Sequence, residues 1–141
     1  MNGKEFVDTN VLVYAFDRTA GVKRNIAAEL IGRLWTDHTG CLSLQVLQEF
    51  YVTVTRKLNM PAADAARQVD RFGLWQVHRP AFEDLVAAID LHHKKQISFW
   101  DAMMLRSAMQ SGCSVVWTED LSDGQKWESL LVRNPFSAAS R

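Results

Sequence analysis

The residues in this sequence that are best suited to chemistry are carboxylates placed after apolar segments. Asp8 directly follows Phe6 and Val7, and Asp120 comes just after the apolar run Cys113–Trp117. Open parallel sheets place their functional sites beyond the carboxyl ends of the strands. We therefore expect Asp8 and Asp120, which are distant in sequence, to meet at one edge of a sheet.

Two further carboxylates lie on predicted helices that could aim them at the same edge. Asp101 is three residues after Ser98, which can cap a helix, and Glu49 is two turns into a helix that Ser43 can cap. Taken singly, each acid has an ordinary explanation as a capping, turn or solvated helix residue. Taken together, they predict an acidic cluster.

Such a cluster has a definite electrostatic requirement. Carboxylates confined together raise one another's pKa, because like charges disfavour joint ionisation. Hard divalent cations relieve this repulsion, and Mg²⁺ and Mn²⁺ prefer oxygen ligands. The pattern therefore predicts a site for Mg²⁺ or Mn²⁺, with one or two ions.

The elements that must position these acids alternate along the chain. Short strands followed by helices imply right-handed crossovers and a mostly parallel sheet, so the fold class is α/β. Strands are predicted at residues 4–7, 41–42, 74–77, 113–117 and 130–132, and helices at 10–16, 22–35, 43–58, 61–72, 82–94 and 98–109.

Apolar periodicity predicts which helix faces point inward. The helix at 22–35 has an apolar residue at every fourth position. The predicted inward residues are Val22, Ile26, Leu30 and Leu34; then Leu44, Leu47, Phe50 or Tyr51, Val54 and Leu58; and finally Phe82, Leu85, Val86 and Ile89.

Composition limits the function classes. The chain has 141 residues, which suits one domain, and its 48% hydrophobic content is enough for a core. It has no apolar run of the ~20 residues needed to span a bilayer and no signal-like N-terminus, so we expect a cytoplasmic protein. Its 16 basic and 16 acidic residues balance, which argues against strong nonspecific nucleic-acid affinity. Phosphate contacts would need local clusters of basic residues, and such clusters occur at residues 23–24, 56–57 and 92–95.

Four segments resemble, in order and spacing, the motifs of PIN domains. They are Val7-Asp8-Thr9-Asn10-Val11-Leu12, then residues 43–50 ending in Glu49-Phe50, residues 97–102 around Asp101, and Thr118-Glu119-Asp120. The resemblance covers nearly the whole chain. Within that superfamily the sequence is most similar to the VapC-type toxins of bacterial toxin–antitoxin pairs.

The resemblance implies a fold, an activity and partners. The fold would be a three-layer PIN sandwich with a parallel sheet ordered 3-2-1-4-5 and helices on both faces, formed by residues 1–141 as one domain. The activity would be a magnesium- or manganese-dependent endoribonuclease. The protein would be a homodimer inhibited by a small cognate antitoxin, with RNA as substrate and no membrane association.

It also implies roles for individual residues. Asp8, Glu49, Asp101 and Asp120 match the four acidic positions, with the three aspartates as metal ligands. Thr9 and Asn10 match residues that buttress the first aspartate, and Ser43 matches the frequent serine or threonine of the second motif. Two further acids, Glu119 and Asp123, lie beside Asp120; the pattern favours Asp120 as the fourth ligand, but Asp123 could share or take the role.

These residues suggest a mechanistic hypothesis. One cation would lower the pKa of a water for in-line attack on a phosphodiester, and a second would stabilise the leaving oxygen. Glu49 would be a ligand or would orient the water, and Thr118 would place its hydroxyl on a water or a phosphate. Asp8→Asn or Asp101→Asn should abolish cleavage without unfolding the chain.

The aromatic residues and cysteines have simpler expected roles. Most of the five tryptophans should be buried, and Trp100, beside Asp101, is the best candidate to stack on a base. With the implied strand order, Cys41 and Cys113 flank the first strand about 10 Å apart, beyond the ~7 Å limit for a disulfide, so both should be free thiols.

Other functions fit less well. A haloacid-dehalogenase-type phosphatase needs a second aspartate where Asn10 stands, and a receiver domain needs one near Val77. A nucleotide binder needs a glycine-rich turn after a strand, which Asp8-Thr9-Asn10 lacks. The serious alternative is a noncatalytic PIN-like module that binds RNA or a partner.

Overall fold

A six-stranded sheet forms the centre of the molecule. A computed structural model describes residues 3–137, and its strand order is β3-β2-β1-β4-β6-β5. The elements along the chain are β1 (Lys4–Val7), α1 (Thr9–Tyr14), α2 (Val22–Asp37), β2 (Gly40–Ser43), α3 (Leu44–Arg56), α4 (Ala62–Phe72), β3 (Gln76–His78), α5 (Phe82–Lys95), α6 (Phe99–Gln110), β4 (Cys113–Trp117), β5 (Lys126–Trp127) and β6 (Leu130–Arg133).

The sheet is parallel except at one edge. β3, β2, β1, β4 and β6 run parallel, and β5 pairs antiparallel with β6. The predicted fold class is confirmed, and the five predicted strands lie in the predicted order. The prediction missed β5, because two residues are too few to show an alternating pattern. It also began β3 too early, since Leu74 is exposed in the turn that precedes the strand.

The helices that flank this sheet pack in two groups. α6 packs against β2, β3 and β4 and carries α5 on its outer side, whereas α1 packs on α2 and α3, and α3 packs on α4. An aromatic cluster holds the second group together: the ring of Phe72 contacts those of Phe16, Phe50, Trp35 and Trp75 at centroid distances of 5.3–6.3 Å.

A buried carboxylate anchors the central strand. Glu5 is 7% exposed and accepts two hydrogen bonds from Arg33, at 2.8 and 3.0 Å, and one from the Trp117 indole at 2.8 Å. Burial alone would raise the pKa of Glu5, but these donors hold it below its usual value. A charge in the core is thereby fully partnered, as buried charges must be.

The predicted inward face of α5 is wrong. Phe82, Val86 and Ile89 are 74%, 51% and 42% exposed, and the buried positions are Asp84 and Ala88. The helix turns a different face inward from the one predicted, because buried Asp84 binds Arg106 of α6 at 2.8 Å and accepts a 2.8 Å hydrogen bond from the backbone of Ala81.

Smaller errors affect two other helices. Val22, the first residue of α2, is 64% exposed. Leu44, the first residue of α3, is 41% exposed, and Phe50 rather than Tyr51 enters the core. The rest of both predicted stripes is buried or partly buried.

The cysteines are free, as predicted. Cys41 and Cys113 are both buried, and interaction between the two thiols shifts the pKa of each. This interaction and burial raise the pKa of Cys113. No helix described within residues 3–137 has the length and apolar content to cross a bilayer.

Candidate metal and catalytic site

A cavity of about 440 Å³ opens beyond the carboxyl ends of β1 and β4. The four acids predicted from sequence all line it: Asp8, Glu49, Asp101 and Asp120. Asp8 caps α1 directly after β1, Glu49 lies on α3, Asp101 is in the first turn of α6, and Asp120 follows β4. Four segments that are distant in sequence therefore bring carboxylates to one site.

Asp8 is the most firmly held of the four acids. Its Oδ1 accepts a 2.7 Å hydrogen bond from the backbone N–H of Thr9, and its Oδ2 accepts one of 2.8 Å from the hydroxyl of Thr118. Its own N–H donates to the carbonyl of Trp117 at 3.0 Å. These contacts fix the carboxylate between β1 and β4 and aim it at the cavity.

The protonation of Asp8 reflects its surroundings. Burial raises its pKa to about 7, and the negative charges of Asp120 and Asp101 add to the effect. The hydrogen bonds from Thr118 and Thr9 lower the pKa of Asp8, but by less than burial and the neighbouring charges raise it. Positive charge placed near Asp8 would therefore favour its ionised form.

Asp101 faces the same cavity from the other side. Ser98 caps α6 by accepting a 3.0 Å hydrogen bond from the backbone of Asp101, as predicted. Burial and the charge of Asp120 raise the pKa of Asp101, although Ser98 works against the shift. Asp8, Asp101 and Asp120 all line this one cavity.

Glu49 is oriented by the first motif. The buried hydroxyl of Thr9 donates a 2.8 Å hydrogen bond to Oε1 of the exposed Glu49 side chain. Thr9 thus contacts two acids, Asp8 through its backbone and Glu49 through its side chain. This links α1 to α3 at the floor of the cavity.

The other predicted supporting residues are also present. Ser43 caps α3 by accepting a 3.2 Å hydrogen bond from Val46, and both Ser43 and exposed Asn10 line the cavity. Thr118 is fully buried, and its hydroxyl accepts a 3.1 Å hydrogen bond from the backbone of Asp120. It therefore positions two of the acids rather than facing open solvent.

The two alternative acids lie elsewhere. Glu119 binds Lys23 at 2.7 Å and accepts a 2.6 Å hydrogen bond from Tyr14. Burial would raise the pKa of Glu119, but these two donors lower it. Asp123 accepts a 2.8 Å hydrogen bond from the backbone of Asn134. Neither residue lines the cavity, so the geometry favours Asp120 as the fourth acid.

Sequence reasoning missed part of the cavity wall. Gln45, Gln48 and Thr53 line it beside Glu49 on one face of α3. Gln48, Glu49 and Thr53 follow Gln45 by three, four and eight residues, a spacing that places all four on one helix face and could have been read from the sequence. Trp100 also lines the cavity and is 61% exposed, whereas Trp75, Trp117 and Trp127 are buried.

The donor set suits a hard cation that keeps water ligands. Within residues 3–137, no three His, Cys, Asp or Glu side chains are already close enough to enclose one metal ion. Mg²⁺ usually keeps several waters and binds through one or two carboxylates, so an open set of oxygen donors fits it. The mutual repulsion of Asp8, Asp101 and Asp120 indicates where a cation would bind.

The arrangement of these motifs agrees with a family model. The model of the PIN domain matches residues 6–122, a span that includes all four acids. The chain belongs to the PIN domain family. No curated protein matches the sequence of this PIN domain significantly.

Solved structures share the same PIN fold. A toxin–antitoxin complex from Klebsiella pneumoniae matches with a TM-score of 0.71 at 16% identity, covering 94% of this chain and 98% of that one. VapBC2 from Rickettsia felis, bound to a promoter DNA fragment, gives 0.64 at 16% identity, with 92% and 97% covered. VapC20 from Mycobacterium tuberculosis, described as a sarcin–ricin loop cleaving toxin, gives 0.60 at 19% identity, with 80% and 87% covered.

Proposed function

We propose that this PIN domain is a metal-dependent endoribonuclease that hydrolyses RNA phosphodiester bonds, with residues 1–141 forming one domain. The observation that carries the proposal is the convergence of Asp8, Glu49, Asp101 and Asp120 on one cavity. Family membership supports it, as does the fold shared with VapC20, a sarcin–ricin loop cleaving toxin.

Mg²⁺ or Mn²⁺, one or two ions per site, would be held by Asp8, Asp101 and Asp120. When bound, such ions acidify water and stabilise the charge that develops on a phosphodiester. The chain's own residues provide the positioning. Thr118 holds Asp8 and the backbone of Asp120, and positive charge near Asp8 would favour its ionised form, because burial raises its pKa to about 7.

Glu49 is the residue best placed to handle a proton. It is exposed to the cavity and oriented by Thr9 at 2.8 Å, so its free oxygen can accept a hydrogen bond from an attacking water. Trp100, at the rim of the same cavity, offers a flat exposed surface on which a base beside the scissile phosphate can stack.

The test is cleavage of an end-labelled single-stranded RNA by purified protein with Mg²⁺. Asp8→Asn, Asp101→Asn and Asp120→Asn should each lower the rate at least 100-fold, whereas Asp123→Asn should keep it within a few-fold. The three active-site variants should keep the wild-type circular dichroism spectrum. RNA binding without cleavage by the wild-type protein would instead favour a noncatalytic PIN-like module.

We further propose that the protein is the toxin of a toxin–antitoxin pair, because one similar structure is a toxin–antitoxin complex and another is described as a toxin. An apolar groove of about 470 Å³ between α3 and α4 supports an antitoxin partner. Gln48 and Val52 line both this groove and the acidic cavity. A partner segment seated in the groove would therefore reach the cavity and block it.

Self-association is the remaining part of the proposal. Phe82, Val86 and Ile89 are exposed on α5 and follow one another at intervals of four and three residues. This is the spacing of a helix–helix seam. We propose that α5 packs against the same helix of a second copy, which would remove these apolar side chains from water.

A further inference from the structure

A second cavity lies at the opposite ends of the helices that build the acidic one. It has a volume of about 770 Å³ and is formed by the end of α1, the following loop, α2, the end of α3 and the start of α4. Its charged lining residues are Arg18, Arg24, Lys57 and Arg67, together with Asp17 and Asp64. We call it the basic cleft.

The basic cleft carries an excess of positive charge. Its four cationic and two acidic residues give a net formal charge of +2 in a chain whose net charge is zero. Asp64 pairs with Arg67, and Asp17 accepts hydrogen bonds of 2.9 and 2.7 Å from the backbone and hydroxyl of Thr19. The remaining cationic residues are exposed and form no ion pair with any other residue in the range 3–137; they are Arg18, Arg24 and Lys57.

The basic cleft and the acidic cavity adjoin along two helices. α1 begins at Thr9 in the acidic cavity, and Ala15, just past its end, lines the cleft. On α3, Thr53 lines the acidic cavity and Lys57 lines the cleft. Four residues are about one helical turn, a rise of roughly 6 Å. A linear ligand can therefore occupy both cavities at once.

A polyanion such as RNA can enter an acidic cavity more readily when a basic surface lies beside it. The carboxylates there repel phosphates, and bound dications offset this only locally. Cations that neutralise phosphates along a strand supply most of the sequence-independent affinity of nucleic-acid binding. The basic cleft places cations in a cavity close to the acids.

We propose that the basic cleft binds the backbone phosphates of the RNA strand on one side of the scissile bond. Arg24 and Lys57 contact the phosphates, and Arg18 neutralises the strand as it leaves the cleft. This inference rests on the proposed nuclease function. It adds a binding site that is separate from the residues that carry out hydrolysis.

The test uses Asp8→Asn protein, which should bind RNA without cutting it, and a fluorescein-labelled 12-nucleotide single-stranded RNA. Arg24→Gln/Lys57→Gln in this background should raise Kd about 10-fold or more at low salt. The slope of log K against log salt should fall by about 0.7 for each charge removed. Arg79→Gln/Lys126→Gln is the matched control, because it removes one exposed arginine and one exposed lysine outside both cavities and should leave Kd and slope unchanged.

Three outcomes would overturn the inference. If the cleft variant binds RNA with the same Kd and slope as the control, the cleft is not the binding site, and the nuclease proposal still stands. If the Asp8→Asn parent binds no RNA, both proposals fail. If a 12-residue polyglutamate binds the parent more tightly than the RNA does, and the cleft variant loses this binding, the cleft is a site for an acidic protein segment.

Discussion

The hydroxyl of Thr118 donates a 2.8 Å hydrogen bond to Oδ2 of Asp8, a residue 110 positions earlier in the chain. The same hydroxyl accepts a 3.1 Å hydrogen bond from the backbone of Asp120. One buried oxygen thus fixes two acids, on the connections after β1 and β4, relative to each other. The geometry of the acidic cavity depends on this contact more than on any direct link between the acids.

Replacing this hydroxyl should impair the site without unfolding the protein. We expect Thr118→Val to lower Mg²⁺-dependent RNA cleavage 10- to 100-fold, the usual effect of losing a residue that orients metal ligands. Stability should fall by only about 1 kcal/mol, the usual net contribution of one hydrogen bond. Thr118→Ser, which keeps the hydroxyl, should retain most activity; equal losses in both variants would show that the hydrogen bond does not matter.

The raised pKa of Asp8 predicts an unusual pH dependence of stability in metal-free protein. The folded state holds a proton on Asp8 up to about pH 7, whereas the unfolded chain releases it near 3.8. Since the folded state binds more protons between these values, the free energy of unfolding should decrease as pH rises from 3.8 to about 7 and then level off.

Urea unfolding in EDTA at several pH values measures this dependence. Asp8→Asn should remove the part of the decline that comes from Asp8, because the amide does not titrate. Mg²⁺ should stabilise the wild-type protein more at pH 8 than at pH 5, since it binds the ionised carboxylates. A wild-type profile matching that of Asp8→Asn in EDTA would contradict the assigned environment.

The buried charge on α5 should matter strongly for folding. Asp84→Ala leaves Arg106 without its 2.8 Å partner and removes the acceptor for the Ala81 backbone. Breaking one side of a buried ion pair costs about 3–5 kcal/mol. Urea denaturation should detect this loss, and the exposed neighbour Glu83→Ala should change stability by less than about 0.5 kcal/mol. Similar effects of the two substitutions would refute the structural role of Asp84.

The sequence was sufficient to predict the parts of the fold that depend on local signals. Asp8 after a buried strand, and the caps Ser43 and Ser98, were visible as residue types at expected positions, and the resemblance to PIN domains supplied the strand order. The α5 orientation was not predictable in this way. Its apolar stripe resembles a core-facing helix, and only the tertiary pairing of Asp84 with Arg106 shows that it faces outward.

The same limit applies to the acids of the last motif. The pattern favoured Asp120 as the fourth ligand, but it left open that Asp123 shares or takes this role. Glu119 accepts hydrogen bonds from Lys23 and Tyr14, and Asp123 accepts one from the backbone of Asn134, so both acids are engaged away from the cavity. These partners come from other segments, so only the folded structure separates the three roles.

The exposed face of α5 predicts a change in oligomeric state. If two copies pair through this helix, Val86→Asp should convert the dimer to a monomer in size-exclusion chromatography with light scattering. The free energy of unfolding of the monomer should be little changed, because Val86 is 51% exposed. Val22→Asp, which changes a valine on α2 that is 64% exposed, should leave the dimer intact. A wild-type protein that is monomeric at high concentration would exclude the proposed pairing.

The central claim is that acids from four distant segments together hold dications, and Mn²⁺ binding measured by electron paramagnetic resonance tests it most directly. The wild-type protein should bind one or two Mn²⁺ ions per chain. Asp8→Asn should weaken this binding at least 10-fold, whereas Asp123→Asn should leave it unchanged. Equal Mn²⁺ binding by the wild-type and Asp8→Asn proteins would contradict the account.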